Sequence, residues 1–438
     1  MPGTLEERLK NLANIAPTSA LLLSDYIMSI QGGSIRKITV EDFLNSINSG
    51  EEELLREVAW GVTIKDDASS QQWEFVGNLA ARDEYLSLIG RYLLLNNGNI
   101  AKLSVQNSAV FADGTPLNEA VGHVMFYSPR LYFLDKVNPQ TGRTTTWWSM
   151  IPIGGKYISA SCFAAYWGAM AGSALVSRSG LVPAGSKTIE QFWAAAQVNG
   201  KHFGLSNYEH QKLEVMLNLM RFANPNVQLN IGYGIGGSVS LDLWGAAANL
   251  QTGATKSLGD ACGKIDISVV NGDNVGQNCS RVSLFGIEDD WNWRWKMLQN
   301  IYCGSTDKGH AGNEVFVYKG NRMPTAEELA STPNGDYDQF TRLTTSGWIQ
   351  KMILGDDFDI FPKALGGGGT SNWGDYSYAN ATGQLVLWGG VANYGPRAGL
   401  GYGDSGSAWT LSYATFGARL AYYGPLNFMS GAELVASL

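Results

Sequence analysis

The segment SLFGIEDDWNWRWKMLQNIYC, residues 283–303, combines three consecutive acidic residues with three tryptophans at alternate positions. Trp291, Trp293 and Trp295 would share one face of an extended strand, because successive side chains of a strand point to opposite sides. Three indoles on one face would bury about 150–250 Å² each, which is typical of a structural pillar rather than a cofactor site. The segment therefore predicts a strand in the core of a large domain.

Two amphipathic helices are predicted upstream of this segment. In 187–200 the apolar residues follow the i, i+3, i+4, i+7 spacing, and Gly200 ends the run. In 206–224 the expected N-cap is Ser206, with Glu209 three residues later. The apolar stripe of this second helix comprises Leu213, Met216, Leu217 and Met220. Helices among short, glycine-interrupted strands predict an α+β domain.

The composition of the whole chain is that of a β-rich protein punctuated by glycine. Hydrophobic residues make up 45 % of the 438 positions and charged residues only 16 %, while Gly (53), Tyr (19) and Trp (14) are abundant. The net charge of −8 argues against nucleic-acid binding, which needs clustered Lys and Arg. The chain has no apolar run near the roughly 18 residues of a membrane helix, and Glu6 and Glu7 are unlike a signal peptide. We expect a chain folded in a cytosol, without membrane insertion.

The first 50 residues predict a small module. YIMSI and IRKITV, within 24–47, have the pattern of strands joined by the glycine turn at 31–33, with helices expected over 4–14 and after Thr39. Residues 51–104 alternate short apolar runs with Asn and Gly, which indicates a compact linker or shaft domain. From about residue 105 onward we expect one large domain, residues 105–438.

The late segment 387–424 has an unusual composition. Between 388 and 416 there is no Lys, Glu, Met or Cys, and Tyr, Trp, Ser, Asn, Asp and Gly dominate, as in antibody paratopes. Composition alone leaves a ligand-facing surface and an ordinary loop-and-strand region equally open. As a strand, 407–415 would turn Trp409, Leu411 and Tyr413 outward and its small residues towards the domain.

These motifs resemble known families. GIEDDWNWRW, residues 286–295, is similar to the GIED-x-x-GNVWEW segment of the C-type-lectin fold in its formylglycine-generating-enzyme variant. It differs in one place, because this chain has Asp290-Trp291-Asn292 where the family usually has Gly-Asn before its tryptophan pair. The late segment resembles the variable region of diversity-generating-retroelement target proteins. The pattern D-Y-…-QGG-…-K-I-T-…-F near the start is similar to the N-terminal module of phage tail fibres and tailspikes. The resemblance to the lectin fold and its variable region spans roughly 180–425.

The resemblance implies an α+β chain with a C-terminal C-type-lectin-like head, preceded by a β-hairpin/helix attachment module (1–50) and a short β-rich linker (51–104). It implies a receptor-binding protein of a phage tail, made in the bacterial host cytoplasm and carried on the virion as a homotrimer. The N-terminus would bind other tail or baseplate proteins, and the head would bind a bacterial surface receptor, protein or glycan.

The resemblance also assigns site residues within a variable region of about 370–425. Glycines and Arg419 would form the scaffold, Arg419 through a buried pairing. The expected receptor-contacting positions are Val391, Asn393, Tyr394, Pro396, Arg397, Asp404, Ser405, Ser407, Trp409, Leu411, Tyr413 and Thr415, with an upstream group of Trp373, Tyr376 and Tyr378. Only a repeat of this DNA beside a reverse transcriptase would show that the gene is diversified.

Catalytic residues and cofactors are not expected. Enzymes with this fold use C-terminal cysteines, and this chain has none after Cys303. A tail-associated glycan hydrolase, which would need two carboxylates about 5–9.5 Å apart, and a purely structural baseplate protein are the alternatives. The carboxylates available to a hydrolase are Glu288, Asp289 and Asp290, or Asp356, Asp357 and Asp359. The oxygen-rich segment 271–278 lacks the EF-hand pattern, which favours a plain loop but leaves a structural Ca²⁺ open.

Overall fold

The computed structural model describes residues 27–31, 34–38, 52–65, 73–138, 140–272, 274–276, 278–333, 335–370 and 373–438. Strands outnumber helices in this part of the chain, and the two are mixed along the sequence. The predicted α+β class is therefore confirmed at the level of secondary structure.

The strands are short, with a longest run of nine residues. In chain order they are β1 (Ile27–Gln31), β2 (Ser34–Ile38), β3 (Trp60–Thr63), β4 (Glu74–Gly77), β5 (Gly90–Leu94), β6 (Asn99–Lys102), β7 (His123–Ser128), β8 (Leu131–Val137), β9 (Thr144–Ser149), β10 (Lys156–Ile158), β11 (Ser161–Ala164), β12 (Ala169–Ala171), β13 (Ala174–Val176), β14 (Phe203–Leu205), β15 (Gly263–Asp266), β16 (Val270–Asn271), β17 (Asn274–Val275), β18 (Ser280–Leu284), β19 (Ile287–Glu288), β20 (Trp295–Cys303), β21 (Glu314–Tyr318), β22 (Tyr337–Thr341), β23 (Gly347–Leu354), β24 (Asp359–Leu365), β25 (Tyr376–Ala379), β26 (Leu385–Trp388), β27 (Gly403–Ser407), β28 (Phe416–Ala418), β29 (Leu420–Tyr422) and β30 (Asn427–Met429).

The helices begin at side-chain caps where the sequence offers them. They are α1 (Glu52–Val58), α2 (Leu79–Leu88), α3 (Ile189–Gln197), α4 (Tyr208–Phe222), α5 (Val227–Asn230), α6 (Trp244–Ala247), α7 (Ala326–Ala330) and α8 (Gly431–Ala436). Thr188 and Gln191 form the capping box of α3, within the predicted helix. The predicted cap of α4 is wrong by one residue, because Asn207 rather than Ser206 accepts the backbone N–H of His210. The predicted apolar stripe of α4 is buried as expected.

The described residues divide into two compact units. One takes its residues from Met1–Ile64, Glu74–Leu86 and Arg130–Tyr157. It contains the β1–β2 hairpin, which confirms the predicted pair of strands, and a five-stranded sheet of order β10-β8-β9-β3-β4. The expected helices over 4–14 and after Thr39 lie outside the described residues. The predicted domain boundaries at 50 and 104 stay predictions.

The other unit takes its residues from Lys65–Trp73, Ser87–Pro129 and Ile158–Leu438. It contains a seven-stranded sheet of order β14-β29-β11-β7-β5-β6-β30 and a larger sheet of order β22-β21-β20-β26-β27-β25-β23-β24, with β28 beside β20. The large sheet carries both the upstream and the late parts of the predicted variable region, in β25 and β27. No helix among the described residues is long and apolar enough to cross a membrane.

The tryptophan segment is buried as predicted, but its geometry differs from the prediction. Trp291 and Trp293 precede β20, and Asn292 between them has a left-handed backbone with φ of 58°. That turn breaks the strand alternation, so Trp293 packs in one apolar cluster and Trp295 in another. The tryptophans therefore join two parts of the core instead of lining a single face.

The prediction of a strand over 407–415 is wrong. β27 ends at Ser407, and residues 408–415 form a loop of turns. Trp409 is buried in the main apolar cluster, whereas Tyr413 is 54 % exposed. Alternation of large and small residues predicted a strand here, but the backbone turns so that the two aromatic rings point in different directions.

Candidate ligand-binding surface

The unit that includes Ile158–Leu438 contains a cluster of seven charged side chains, which we call the buried ionic cluster. It comprises Glu214, Arg281, Glu288, Asp289, Asp290, Lys296 and Arg419, all buried. Asp290 accepts from Arg419 Nε at 2.8 Å and from Lys296 Nζ at 2.6 Å. Arg281 donates to Asp289 at 2.5 Å and to Glu288 at 3.0 Å. Arg419 therefore forms, with Asp290, the buried structural pair that the sequence predicted for it.

Charge balance inside this cluster assigns protonation states. Burial opposes ionisation of Asp290, but Lys296 and Arg419 outweigh it and hold the pKa of Asp290 below its usual value. Burial, reinforced by the negative charge of Asp290, raises the pKa of Glu214 well above its usual value, despite contact with Lys296. Among the carboxyl groups of the cluster, Glu214 is thus the one with the pKa raised furthest by burial, and Asp290 is the one held ionised.

The carboxylates considered for glycan hydrolysis have defined positions. Glu288 accepts hydrogen bonds from the backbone N–H groups of Gly253 and Thr255, each at 2.7 Å, so both of its carboxylate oxygens are engaged inside the core. In the second candidate set, Asp359 pairs with Lys212 at 3.0 Å, and Asp356 is exposed on the turn between β23 and β24. The first set is enclosed by protein and cannot reach a polysaccharide.

The structure brings the upstream and late parts of the predicted site together. β25 and β27 pair in parallel, with Tyr378 beside Asp404 and Ala379 beside Ser405. Tyr376 lies on the same side of β25 as Tyr378, because alternate residues of a strand share a face. Residues separated by about 25 positions in the chain thus form one continuous surface.

Aromatic rings in edge-to-face contact hold this surface in place. The ring of buried Tyr402 meets the rings of Tyr376 and Tyr394 at centroid distances of 6.1 and 5.5 Å. The indole of Trp295 lies beneath, 4.9 Å from Tyr402 and 5.5 Å from Tyr394. Such contacts restrict the rotamers of the half-buried tyrosines, so their hydroxyl groups occupy fixed positions.

A charged group of each sign completes the surface. The guanidinium of exposed Arg397 lies 5.3 Å from the ring centroid of Tyr376. Asp404 is half-exposed, and its Oδ1 accepts the backbone N–H of Gly406 at 2.8 Å. Burial raises the pKa of Asp404 to about 6, although this hydrogen bond opposes the shift. We call Tyr376, Tyr378, Tyr394, Arg397 and Asp404 the tyrosine patch.

A buried acid fixes the glycine-rich turn 398–403 that supports the patch. Asp375 Oδ2 accepts the backbone N–H of Gly401 at 2.7 Å, and a Cβ on Gly399 or Gly401 would collide with the carboxyl. Burial raises the pKa of Asp375 well above its usual value, and the hydrogen bond from Gly401 offsets only part of this. Asp375 therefore positions the turn through its buried carboxyl group, which is disposed to keep its proton.

The loop 408–415 is held by its own set of hydrogen bonds. Trp409 Nε1 donates to Glu190 at 3.3 Å, and Arg294 donates to the carbonyl of Ala414 at 2.7 Å. The carbonyls of Tyr413 and Thr415 accept the backbone N–H groups of Ser186 and Trp295. The loop is held through its backbone and one indole, and the ring of Tyr413 stays exposed.

The predicted receptor-contacting positions fall into three groups by accessibility. Asn393, Arg397, Tyr413 and Tyr378 are exposed. Tyr394, Pro396, Asp404, Ser407, Leu411, Thr415 and Tyr376 are half-buried. Val391, Ser405, Trp409 and Trp373 are buried, so the expectation that these four side chains face a ligand is wrong for this conformation. They pack inward because their segments turn towards the aromatic core.

Two residues near the site were missed from the sequence. Half-buried Trp348, on β23, packs against Tyr376 at 5.8 Å. Asp375 lies between two predicted positions, but an acidic residue in a Tyr-rich segment carries no signal of burial. Among the described residues, no three or more His, Cys, Asp or Glu side chains are grouped to hold a metal ion.

The chain matches no model of a known protein family. A search of curated proteins likewise gives no significant sequence match.

Proposed function

We propose that this chain is the receptor-binding protein of a phage tail and attaches the virion to its bacterial host through the tyrosine patch. The observation that carries the proposal is the meeting of Tyr376 and Tyr378 on β25 with Asp404 on the hydrogen-bonded strand β27, beside Tyr394 and Arg397 from the turn that precedes β27. The hydroxyls of Tyr376 and Tyr394 have no hydrogen-bond partner among the described residues and are free for a ligand. Tyr and Arg are enriched at the energetic centres of interfaces.

The head is proposed to have the C-type-lectin fold in its formylglycine-generating-enzyme variant. The order of elements supports this: helices α3 and α4 precede the tryptophan segment, and Arg419 lies near the end of the late segment. The ion pair between Asp290 and Arg419 ties these two motifs together in the core. A fixed core under a changeable surface would allow receptor specificity to vary, because exposed substitutions usually change stability by about 0.5 kcal/mol or less.

Virion attachment and trimerisation belong to the same proposal. The N-terminal module would bind other tail or baseplate proteins, and no catalytic step or cofactor is assigned to the head. Three copies would raise the avidity of a modest site by about 10²–10⁴ when their geometry allows simultaneous binding.

Virion labelling and cell adsorption test the proposal. Antibody against the purified chain should label the tails of the phage that encodes it. The purified chain should bind host cells, and the double variant Tyr378→Ala, Arg397→Ala should lose most of this binding. The matched control is Tyr157→Ala, Arg130→Ala, which likewise removes one exposed tyrosine and one exposed arginine, here 4.8 Å from that tyrosine ring and in the other unit.

The two measurements separate a receptor-binding tail protein from the alternatives. Unlabelled virions would contradict a tail protein. Labelled virions with unchanged adsorption by the patch variant would indicate a structural baseplate protein and would overturn the binding role of the patch.

A further inference from the structure

The outer ring of the tyrosine patch is a flat aromatic platform. Tyr378 is 45 % exposed, and its ring lies across Gly406 on the neighbouring strand. A Cβ at Gly406 would collide with two carbons of this ring, so the absence of a side chain allows the ring to rest on the sheet. The Cδ1–Cε1 side of the ring therefore lies against the backbone of the neighbouring strand, and nearly half of the residue remains exposed.

Hydrogen-bond donors and acceptors both lie near this platform. Asp404 is the register partner of Tyr378, and its Oδ2 has no hydrogen-bond partner among the described residues. Arg397 is exposed and forms no ion pair within the part of the chain that the structure describes. The free hydroxyls of Tyr376 and Tyr394 add donors that can also accept.

The patch carries no net charge when Asp404 is ionised, because Arg397 balances it. A strongly charged ligand would therefore meet repulsion from one of the two groups, whereas a neutral ligand rich in hydroxyls can donate to Asp404 and accept from Arg397. The face of an aromatic ring is negative and attracts the weakly positive C–H hydrogens on the apolar side of a pyranose. Paired strands hold the platform and the carboxylate at a fixed separation, which lowers the entropy lost on binding.

We propose that the tyrosine patch binds a neutral pyranose unit of a bacterial surface polysaccharide, with Tyr378 as the stacking platform and Asp404 as the hydroxyl acceptor. This inference rests on the proposed receptor-binding function and names its ligand class. Arg397 and the free tyrosine hydroxyls supply the opposing hydrogen bonds. The two strands fix the orientation of the sugar.

The probe is polysaccharide released from host cells and freed of protein by protease. It should compete with intact cells for the purified chain. Tyr378→Ala should weaken binding of the polysaccharide about tenfold, and Asp404→Asn should do so by a similar factor. Asn at 404 keeps an oxygen for the Gly406 N–H but replaces the free acceptor with a donor.

Two controls separate stacking and charge effects. Tyr157→Ala removes a tyrosine of similar exposure, 53 % against 45 %, and should leave binding within about twofold. Raising NaCl from about 50 to about 500 mM should change the affinity less than about threefold, because a neutral ligand releases few counterions.

The result that overturns the inference is binding that survives periodate oxidation of the cell-surface sugars but disappears after protease treatment of the cells. Receptor binding would then stand with a protein as its target. Failure of the wild-type chain to bind untreated host cells would instead overturn the proposed function itself. Steep loss of polysaccharide binding with salt would also contradict a neutral sugar.

Discussion

The buried ionic cluster and the tyrosine patch each contain an arginine that lies over an aromatic ring, but only the arginine of the patch is exposed. Arg419 lies 4.8 Å from the ring of Trp167 and donates to Asp290, with no side-chain exposure. Arg397 lies 5.3 Å from the ring of Tyr376, is exposed, and forms no ion pair among the described residues. An arginine on an aromatic ring is therefore not a binding site by itself. Its partners and its access to solvent decide what it does.

Replacement of Arg419 by Met should produce the largest effect. It would leave the carboxylate of Asp290 buried with one partner fewer, which costs about 3–5 kcal/mol for a broken buried pair. Urea unfolding monitored by tryptophan fluorescence measures this loss. The matched variant Arg397→Met should change stability by about 0.5 kcal/mol or less. Equal losses in both variants would remove the distinction between the two regions.

A second comparison contrasts the two aromatic rings of the loop 408–415. Trp409→Ala would leave a cavity in the main apolar cluster and should cost about 3–5 kcal/mol. Tyr413→Ala removes an exposed ring and should cost about 0.5 kcal/mol or less. Thermal unfolding of both variants checks this order. A small loss for Trp409→Ala would show that its indole faces solvent.

The buried acid beneath the patch gives a pH-dependent prediction. Because the folded state raises the pKa of Asp375, the folded chain keeps a proton that the unfolded chain releases above about pH 4. Wild-type stability therefore falls as pH rises through this range, and Asp375→Asn has no such dependence. The variant should match the wild type near pH 4 and gain about 1.4 kcal/mol per pH unit over it until the pH reaches the raised folded-state pKa of Asp375.

Parallel urea titrations at several pH values measure this difference between Asp375→Asn and the wild type. A difference that stays constant with pH would show that Asp375 is ionised in the folded state. Asp375→Ala should be less stable than Asp375→Asn at every pH, because the Gly401 N–H would have no acceptor.

The smallest expected change in stability belongs to the platform of the patch. Tyr378→Ala should alter the free energy of unfolding by about 0.5 kcal/mol or less, since the residue is largely exposed and its ring lies against a glycine, Gly406. Calorimetry provides the measurement. A loss as large as that of Trp409→Ala would mean that Tyr378 belongs to the core, and its binding phenotype would then reflect folding.

Local patterns predicted several elements correctly. The apolar spacing of 187–200 and 206–224 predicted α3 and α4, and the glycine turn predicted the β1–β2 hairpin. These patterns work because the period of burial is set by the backbone of each element. The cap at Asn207 was missed by one residue, because Ser206 and Asn207 are both good caps and their backbone conformations decide between them.

The candidate site was predicted in composition but not in shape. The sequence indicated that Tyr376, Tyr378, Tyr394 and Arg397 belong to a surface, and all four are exposed or half-buried. It could not indicate that Trp409 turns inward or that Asp375 supports the patch. Both outcomes depend on contacts with residues far away in the chain, Glu190 in one case and Gly401 in the other.

The sequence by itself determined which segments carry the core and which carry aromatic, adaptable surface residues, because hydrophobic period and composition are local properties. Only the tertiary structure decided which aromatic rings face solvent and which charges are paired. A left-handed turn at Asn292 and the loop after Ser407 reverse the direction of side chains that a regular strand would alternate. Parallel pairing of β25 with β27 then places Tyr378 beside Asp404, a contact that no pattern along the chain encodes.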